Sequence, residues 1–300
     1  MKKHAYMIMA HGGFEMLRLL VSALDDDRND IFIHMDKKAA GFEEGDISSA
    51  AHASGVFFLP RISVQWGGYS QIDCMLRLLD AASEKGDYAY LHLVSGTDMP
   101  LKSQDELHEY FDEKQGTEFI EFSAPRVDEN TRCRFSLYHF FMEWKSKGPR
   151  WKRLEDKSLE IQMRLGVNRA ADSRLHFMKG ATWFSVTGNF ARFLLAQRGE
   201  LRRLYRLTNC CDEVFIQTAA YNSEFKDRLF DKSFTAEGFG NLRYTRWDEG
   251  LNSPAVLEED DIEKAIECGC LFARKFDLES GLGALRLALK TQGREDLLPR

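Results

Sequence analysis

The chain has 300 residues, 44% of them hydrophobic and 29% charged, and a formal charge of −6. That length suits one large α/β domain or two small ones, with ample material for a core. The acidic balance excludes nucleic acid as the main partner, because a phosphate-binding surface of any size needs an excess of cations.

Six cysteines stand at 74, 133, 210, 211, 268 and 270, with no CxxC and no histidine spaced to complete a zinc site. They are expected as free thiols in a reducing compartment. The N-terminal apolar run in "MKKHAYMIMAHGG" spans only about six residues, too short for a signal or a membrane span. The expectation is a cytoplasmic protein with at most peripheral contact at the membrane's inner face.

In chain order, "AYMIMAH" (5–11) reads as a buried strand, "FEMLRLLVSAL" (14–24) as a helix and "DIFIHMD" (30–36) as a second strand. "GVFFLP" (55–60) is a third strand. "SQIDCMLRLLDAASEKG" (70–86) is a helix opened by Ser70 and stopped at Gly86, "YAYLHLVSG" (88–96) a fourth strand, and "SQDELHEYFDEK" (103–114) a helix capped by Ser103. Such alternation predicts a mostly parallel sheet covered on both faces. The charged, aromatic stretch 123–178 reads as an irregular insertion or lid. Beyond it lie a strand running into a helix at 181–197 and a helix at 212–223. No linker or repeat interrupts the chain, so 1–300 is expected to be one domain.

Open α/β sheets bind ligands outside the carboxyl ends of their strands. His11-Gly12-Gly13, Asp36 and Ser95-Gly96-Thr97-Asp98 fall at three such ends. Each alone reads equally well as a turn with a local cap; together they point to one edge. There is no GxGxxG and no GxxxxGK[ST]. Trp66 and Gly67 in "WGGYSQ" precede a helix whose first amides could receive an anion. Asp-rich "LDDDRND", "DEGLNSP" and "EEDDIE" read as turns or helix starts, so no metal is expected. Asp212 and Glu213 open a helix behind two cysteines. Glu213 has two open readings, a carboxylate complementing the helix dipole and a general base facing a cleft. Near the C-terminus, "CLFARKFD" sets Arg274 and Lys275 between Phe272 and Phe276.

These stretches, taken in order, resemble one family, the core-2/I-branching N-acetylglucosaminyltransferases. The matching pieces are "AYMIMAH" with "IFIHMDKK", "VQWGGYSQIDCMLRLL", "YLHLVSGTDMPLKSQDEL", "KGATWFSVT", "CCDEVFIQT", "LRYTRWDEGLNSPAVLEEDDIEKA" and "LFARKFD". The resemblance runs from residue 5 to about 277 and is poorest over 123–178. It implies a GT-A type glycosyltransferase that inverts at the anomeric carbon without metal or other cofactor, using a UDP-sugar donor and a glycan acceptor. By the same resemblance Glu213 is the base, Lys275 meets the diphosphate with Arg243 as a looser match, and Arg246 and Arg274 lie nearby. Asp36 contacts uridine, Asp98 lies beside the donor sugar, Trp247 is an acceptor platform and Glu121 an acceptor-binding carboxylate. Animal members carry a membrane anchor and disulfides, and neither is expected here. That points to a bacterial enzyme of cell-surface polysaccharide synthesis whose acceptor is lipid-linked. Two other readings are a non-catalytic nucleotide-sugar-binding module and a glycoside hydrolase using Asp98 and Glu213.

Overall fold

The computed structural model describes residues 2–171, 173–235, 238–248, 250 and 253–298. The stretch read as a turn at 248–254 includes 249, 251 and 252, which lie outside the described residues.

Near-continuous apolar runs make the central strands. β1 (His4–Ala10), β2 (Asn29–Met35) and β4 (Tyr90–Ser95) are buried almost throughout, as strands covered on both faces must be. With β3 (Gly55–Phe58), β6 (Phe119–Ile120) and β7 (Phe184–Thr187) they form a six-stranded sheet in the order β3-β2-β1-β4-β7-β6. β3, β2, β1 and β4 are parallel, and β7 runs antiparallel to both its neighbours. A second, three-stranded sheet was not expected from the sequence. It joins β5 (Met99–Pro100), β9 (Phe272–Arg274) and β8 (Arg243–Thr245).

The period-two alternation of β1 divides the core. Tyr6 and Ile8 face one hydrophobic cluster with Leu17 and Leu20 of α1 (Phe14–Ala23) and Leu285 and Leu289 of α11 (Leu282–Thr291). Ala5 and Met7 face the other, with Leu76 and Leu79 of α3 (Tyr69–Lys85) and Phe190 of α7 (Gly188–Ala196). Helices therefore flank the sheet on both sides, as the alternation predicted.

α4 (Gln104–Glu113) begins at Ser103 in a reciprocal capping box with Glu106, which satisfies two terminal amides. α3 does not begin on Ser70 as predicted. Its N-cap is Gly68, and the amide and hydroxyl of Ser70 donate to the Glu143 carboxylate at 2.9 and 2.8 Å. The stretch 123–178 is less irregular than expected, since it holds α5 (Glu129–Ser136), a 3-10 turn at 142–147 and the 16-residue α6 (Pro149–Arg164). α6 escaped notice because its two buried residues, Glu155 and Gln162, are polar.

Glu118 precedes β6 and is buried where Thr187 donates to it from its amide at 2.8 Å and its hydroxyl at 2.6 Å. Burial raises its carboxyl to about 7 despite those bonds. The folded chain thus holds a proton that the unfolded chain releases near 4.5, so this group's stabilising contribution is complete below pH 4.5 and fades as pH rises through 7. Glu118→Gln can keep both contacts without a charge. Relative to the parent, the variant should gain about 2–4 kcal/mol in denaturant melts between pH 4.5 and pH 7.5. A pH-independent difference would rule the linkage out.

Candidate active site

Main-chain bonds align three strand ends on one edge of the sheet. Asp36 N donates to Ala10 O at 2.8 Å and Gly96 N to Met9 O at 3.1 Å. β1 lies between β2 and β4, so the chain leaves it to either side, the arrangement that opens a crevice in an α/β sheet. His11 is exposed at this edge. Asp36 is buried, and its carboxylate accepts from Lys38 N at 2.8 Å and Val64 N at 3.3 Å. It shapes the loop leaving β2.

Asp98 is more enclosed than a sugar-contacting carboxylate should be. It is 1% exposed; Ser95 N donates to one oxygen at 3.0 Å, while Ser95 Oγ and Arg274 approach the other, Arg274 Nε at 3.2 Å. Asp98 is therefore held as an internal anchor at the strand edge where the donor sugar was expected.

The cations sort by what already holds them. Arg243 is buried, and its guanidinium donates to the carbonyls of Asn241 (2.6 Å) and Phe184 (2.7 Å) and to Ser185 Oγ (3.0 Å). Burial lowers its pKa to about 10, partly offset by Asp98. It cross-links β8 to the main sheet, its guanidinium engaged by internal acceptors. Arg246 is surrounded by Asp248 (3.3 Å), Glu258 (3.3 Å) and Asp261 (2.6 Å). Arg274 pairs with Asp98 and lies 4.5 Å from the centre of the Trp183 ring. Lys275, half-buried, follows directly, and its ammonium has no ion-pair partner among the described residues. Phe272 and Phe276 are both fully buried beside it, and Phe276 N donates to Thr97 O at 2.9 Å.

Glu213 closes a 3-10 turn, Cys211–Glu213, set off from α9 (Phe215–Tyr221) by Val214 at φ −127. This replaces the single helix expected over 212–223. Arg134 Nη1 donates to Glu213 Oε2 at 2.7 Å, with Lys179 Nζ 3.9 Å from the same oxygen. Oε1 has no partner among the described residues, and a third of the side chain is exposed. Its neighbour Asp212 is buried instead, accepting from Thr182 Oγ1 at 3.0 Å and Gln71 Nε2 at 3.3 Å. Burial, then the charge of Glu213, raises Asp212 to about 6. Burial also pushes the thiols of Cys210 and Cys211 to about 11 and about 12, so neither is a ready nucleophile.

The "WGGYSQ" loop reaches this turn through packing. Gly67 is buried at φ +73, Cys210 N donates to its carbonyl at 2.7 Å, and an added Cβ would lie 2.7 Å from Met142 Cε. Only glycine fits such a left-handed close approach. An internal anion, Glu143, lies at the start of α3, and Gly67 is closely packed beside it. Trp66 remains 63% exposed.

Glu121 and Glu213 flank Gly180. Gly180 N donates to Glu213 O at 2.9 Å, while its Cα hydrogen faces Glu121 O so closely that a Cβ would sit 1.7 Å away. Glu121 is half-buried, and burial raises it to about 7 against the pull of Arg243. Trp247 is 61% exposed beyond β8. Among the described residues no three His, Cys, Asp or Glu side chains gather as metal ligands, and no helix is long and apolar enough to cross a membrane.

A family model described as Core-2/I-Branching enzyme matches residues 4–265. The chain belongs to the core-2/I-branching enzyme family. It is a glycosyltransferase. Among solved structures it is similar to mouse xyloside xylosyltransferase 1 in its apo form, at 11% identity over 74% of this chain and 82% of that one, with a TM-score of 0.34. No curated protein sequence matches it significantly.

In this family member the sequence reading missed Arg134, Lys179, Glu143 and Trp183. Lys179 and Trp183 lie inside "KGATWFSVT", where a Lys-Gly pair ahead of an aromatic strand was a usable signal. Arg134 and Glu143 sit in the stretch set aside as an insertion and carry no pattern of their own. Gly180→Ala should lower stability by about 3 kcal/mol or more through backbone displacement and abolish transfer. Gly12→Ala, with nothing within 4 Å of the new Cβ, should melt like the parent; equal melting of both variants would refute the close packing.

Proposed function

We propose that the enzyme transfers a sugar from a UDP-sugar to a hydroxyl of a glycan acceptor by a single, inverting displacement that needs no metal. The reading rests chiefly on Glu213, held at one oxygen by Arg134 and with its other oxygen unpartnered. A carboxylate fixed in that way can take the proton of an acceptor hydroxyl placed against the open oxygen. The oxygen nucleophile then attacks the anomeric carbon from the face opposite UDP.

The bond to the diphosphate breaks with negative charge growing on its oxygens. Lys275 is the cation with no internal partner among those named, and it follows an arginine anchored to the sheet edge. A charge already in place stabilises the leaving group most in the transition state, where that charge develops. Asp36 and His11 supply the edge that receives the nucleoside. Glu121, Trp247 and Trp66 are the acceptor-side candidates, exposed aromatic faces and a carboxyl near neutrality. The acceptor we propose is a lipid-linked glycan of bacterial cell-surface polysaccharide synthesis.

The hydrolase reading loses its second carboxylate, because both oxygens of Asp98 are engaged inside the protein. Glu213→Gln should lower kcat by about 10²–10⁴-fold with UDP affinity nearly unchanged; parental turnover would remove Glu213 from its role. Calorimetry in excess EDTA should still detect UDP. There, Lys275→Ala should weaken UDP by about 10–100-fold, the loss of a charge-assisted contact, and leave uridine affinity unaltered. Equal losses for both ligands, or binding only with a divalent ion added, would contradict the assignment.

A further inference from the structure

α6 is built inside out. Its buried residues are Glu155 and Gln162, and both make polar ties to the preceding segment. Glu155 accepts from His139 Nδ1 at 2.8 Å and from Phe141 N at 2.9 Å. Gln162 bonds the amide and carbonyl of Tyr138 at 2.8 and 2.9 Å. Leu154, Ile161 and Leu165, which fall on one stripe at 3.6 residues per turn, are all exposed, Leu165 by 75%. Phe140 and Trp144 on the preceding segment are exposed as well. An ordinary surface helix turns such residues inward, so this one presents a face with an occupant still to come.

Charge identifies that occupant. The run 144–153, "WKSKGPRWKR", has five cations and no carboxylate. With a total of −6, the rest of the chain carries −11 (−6 less +5). Arg153 and Lys157 fall on the side of α6 turned away from Glu155 and Gln162, beside the leucine stripe, and Arg164 on the same side is paired with Glu160 at 2.5 Å. Cations next to exposed aromatic and aliphatic side chains are the composition of a surface that lies in the headgroup layer of an anionic bilayer. Another copy of this acidic chain would meet the cations but gives no reason for the tryptophan and leucines to stand beside them.

The patch is also wired to the candidate site. Glu143, next to Trp144, caps α3 beside the "WGGYSQ" loop, and Met142 packs on Gly67, whose carbonyl holds Cys210. His139 N donates to Leu207 O, and Asn209 N to Arg134 O. The segment that carries the patch thus frames the turn bearing Glu213.

We propose that residues 138–165 form a membrane-docking face that seats the enzyme on anionic lipid with its acceptor side toward the bilayer. This deepens the functional reading above, in which the acceptor glycan hangs from a lipid, and rests on it. The test is flotation of the full chain with vesicles of phosphatidylcholine alone or with about a third phosphatidylglycerol. The enzyme should float with the anionic vesicles only and be released by salt. Lys145→Ser/Lys147→Ser/Arg153→Ser should weaken that binding about a hundredfold, at about fivefold per cation. Leu154→Ser/Ile161→Ser should weaken it about tenfold or more.

Both variants should bind UDP as the parent does, so loss of flotation with UDP binding intact would bear on the surface alone. Absence of UDP binding in the parent would instead strike the functional reading. The docking face is overturned if the parent fails to float with anionic vesicles, or if both variants float unchanged. It is also overturned if the same substitutions abolish a solution dimer or binding to soluble dextran sulfate without affecting flotation.

Discussion

The site depends on a buried ion pair. Asp98 leaves β4 and meets Arg274 at the end of β9, where neither side chain reaches bulk water freely. Two charges removed from solvent are tolerated only with close geometry and further bonds, and removing one partner strands the other at a cost of about 3–5 kcal/mol. Here the further contacts are Ser95, which bonds Asp98, and Trp183, whose ring receives the guanidinium. Arg243 stands close enough for Asp98 to offset part of its burial as well. One carboxylate therefore ties the late β5-β9-β8 sheet to the edge of the main sheet. Lys275 has its position because its neighbour has no freedom.

The same economy shapes the turn that carries Glu213. Asp212 and Glu213 are adjacent in sequence and opposite in environment. One is buried among Thr182 and Gln71 and raised toward neutrality; the other reaches a partly open surface between Arg134 and Lys179. Two adjacent carboxylates would repel if both were fully charged in a poorly solvated site. The 3-10 turn turns them apart, and Cys210 adopts a left-handed conformation at φ 48 to enter it. Gly67 then lets its loop close on Cys210, and Gly180 lets its own close on Glu121, at distances that a side chain would forbid.

The strands and their edge were legible because burial on both faces writes long apolar runs, and because polar residues at strand ends interrupt them. Ser103 was legible as a cap since its partner Glu106 is only three residues away. What resisted reading was non-local. Nothing near Ser70 says that a carboxylate 73 residues later will take its amide. Nothing in "LRYTRW" distinguishes Arg243, whose guanidinium is engaged by carbonyls from distant strands, from a cation that faces solvent. The family resemblance names Glu213 and Lys275, but which arginine is available is a property of the packing alone.

α6 shows the limit of periodicity most directly. A helix is found in sequence by assuming that its apolar stripe faces the core. In α6 the stripe faces out and the core side is a glutamate and a glutamine, so the assumption returns an irregular segment. The energetic logic still holds, since the buried Glu155 and Gln162 have their partners while Leu154, Ile161 and Leu165 stay exposed. A segment that fails the ordinary pattern while bonding its buried Glu155 and Gln162 is not poorly built. Its outward apolar stripe and the cations beside it are the features on which the proposed docking face rests.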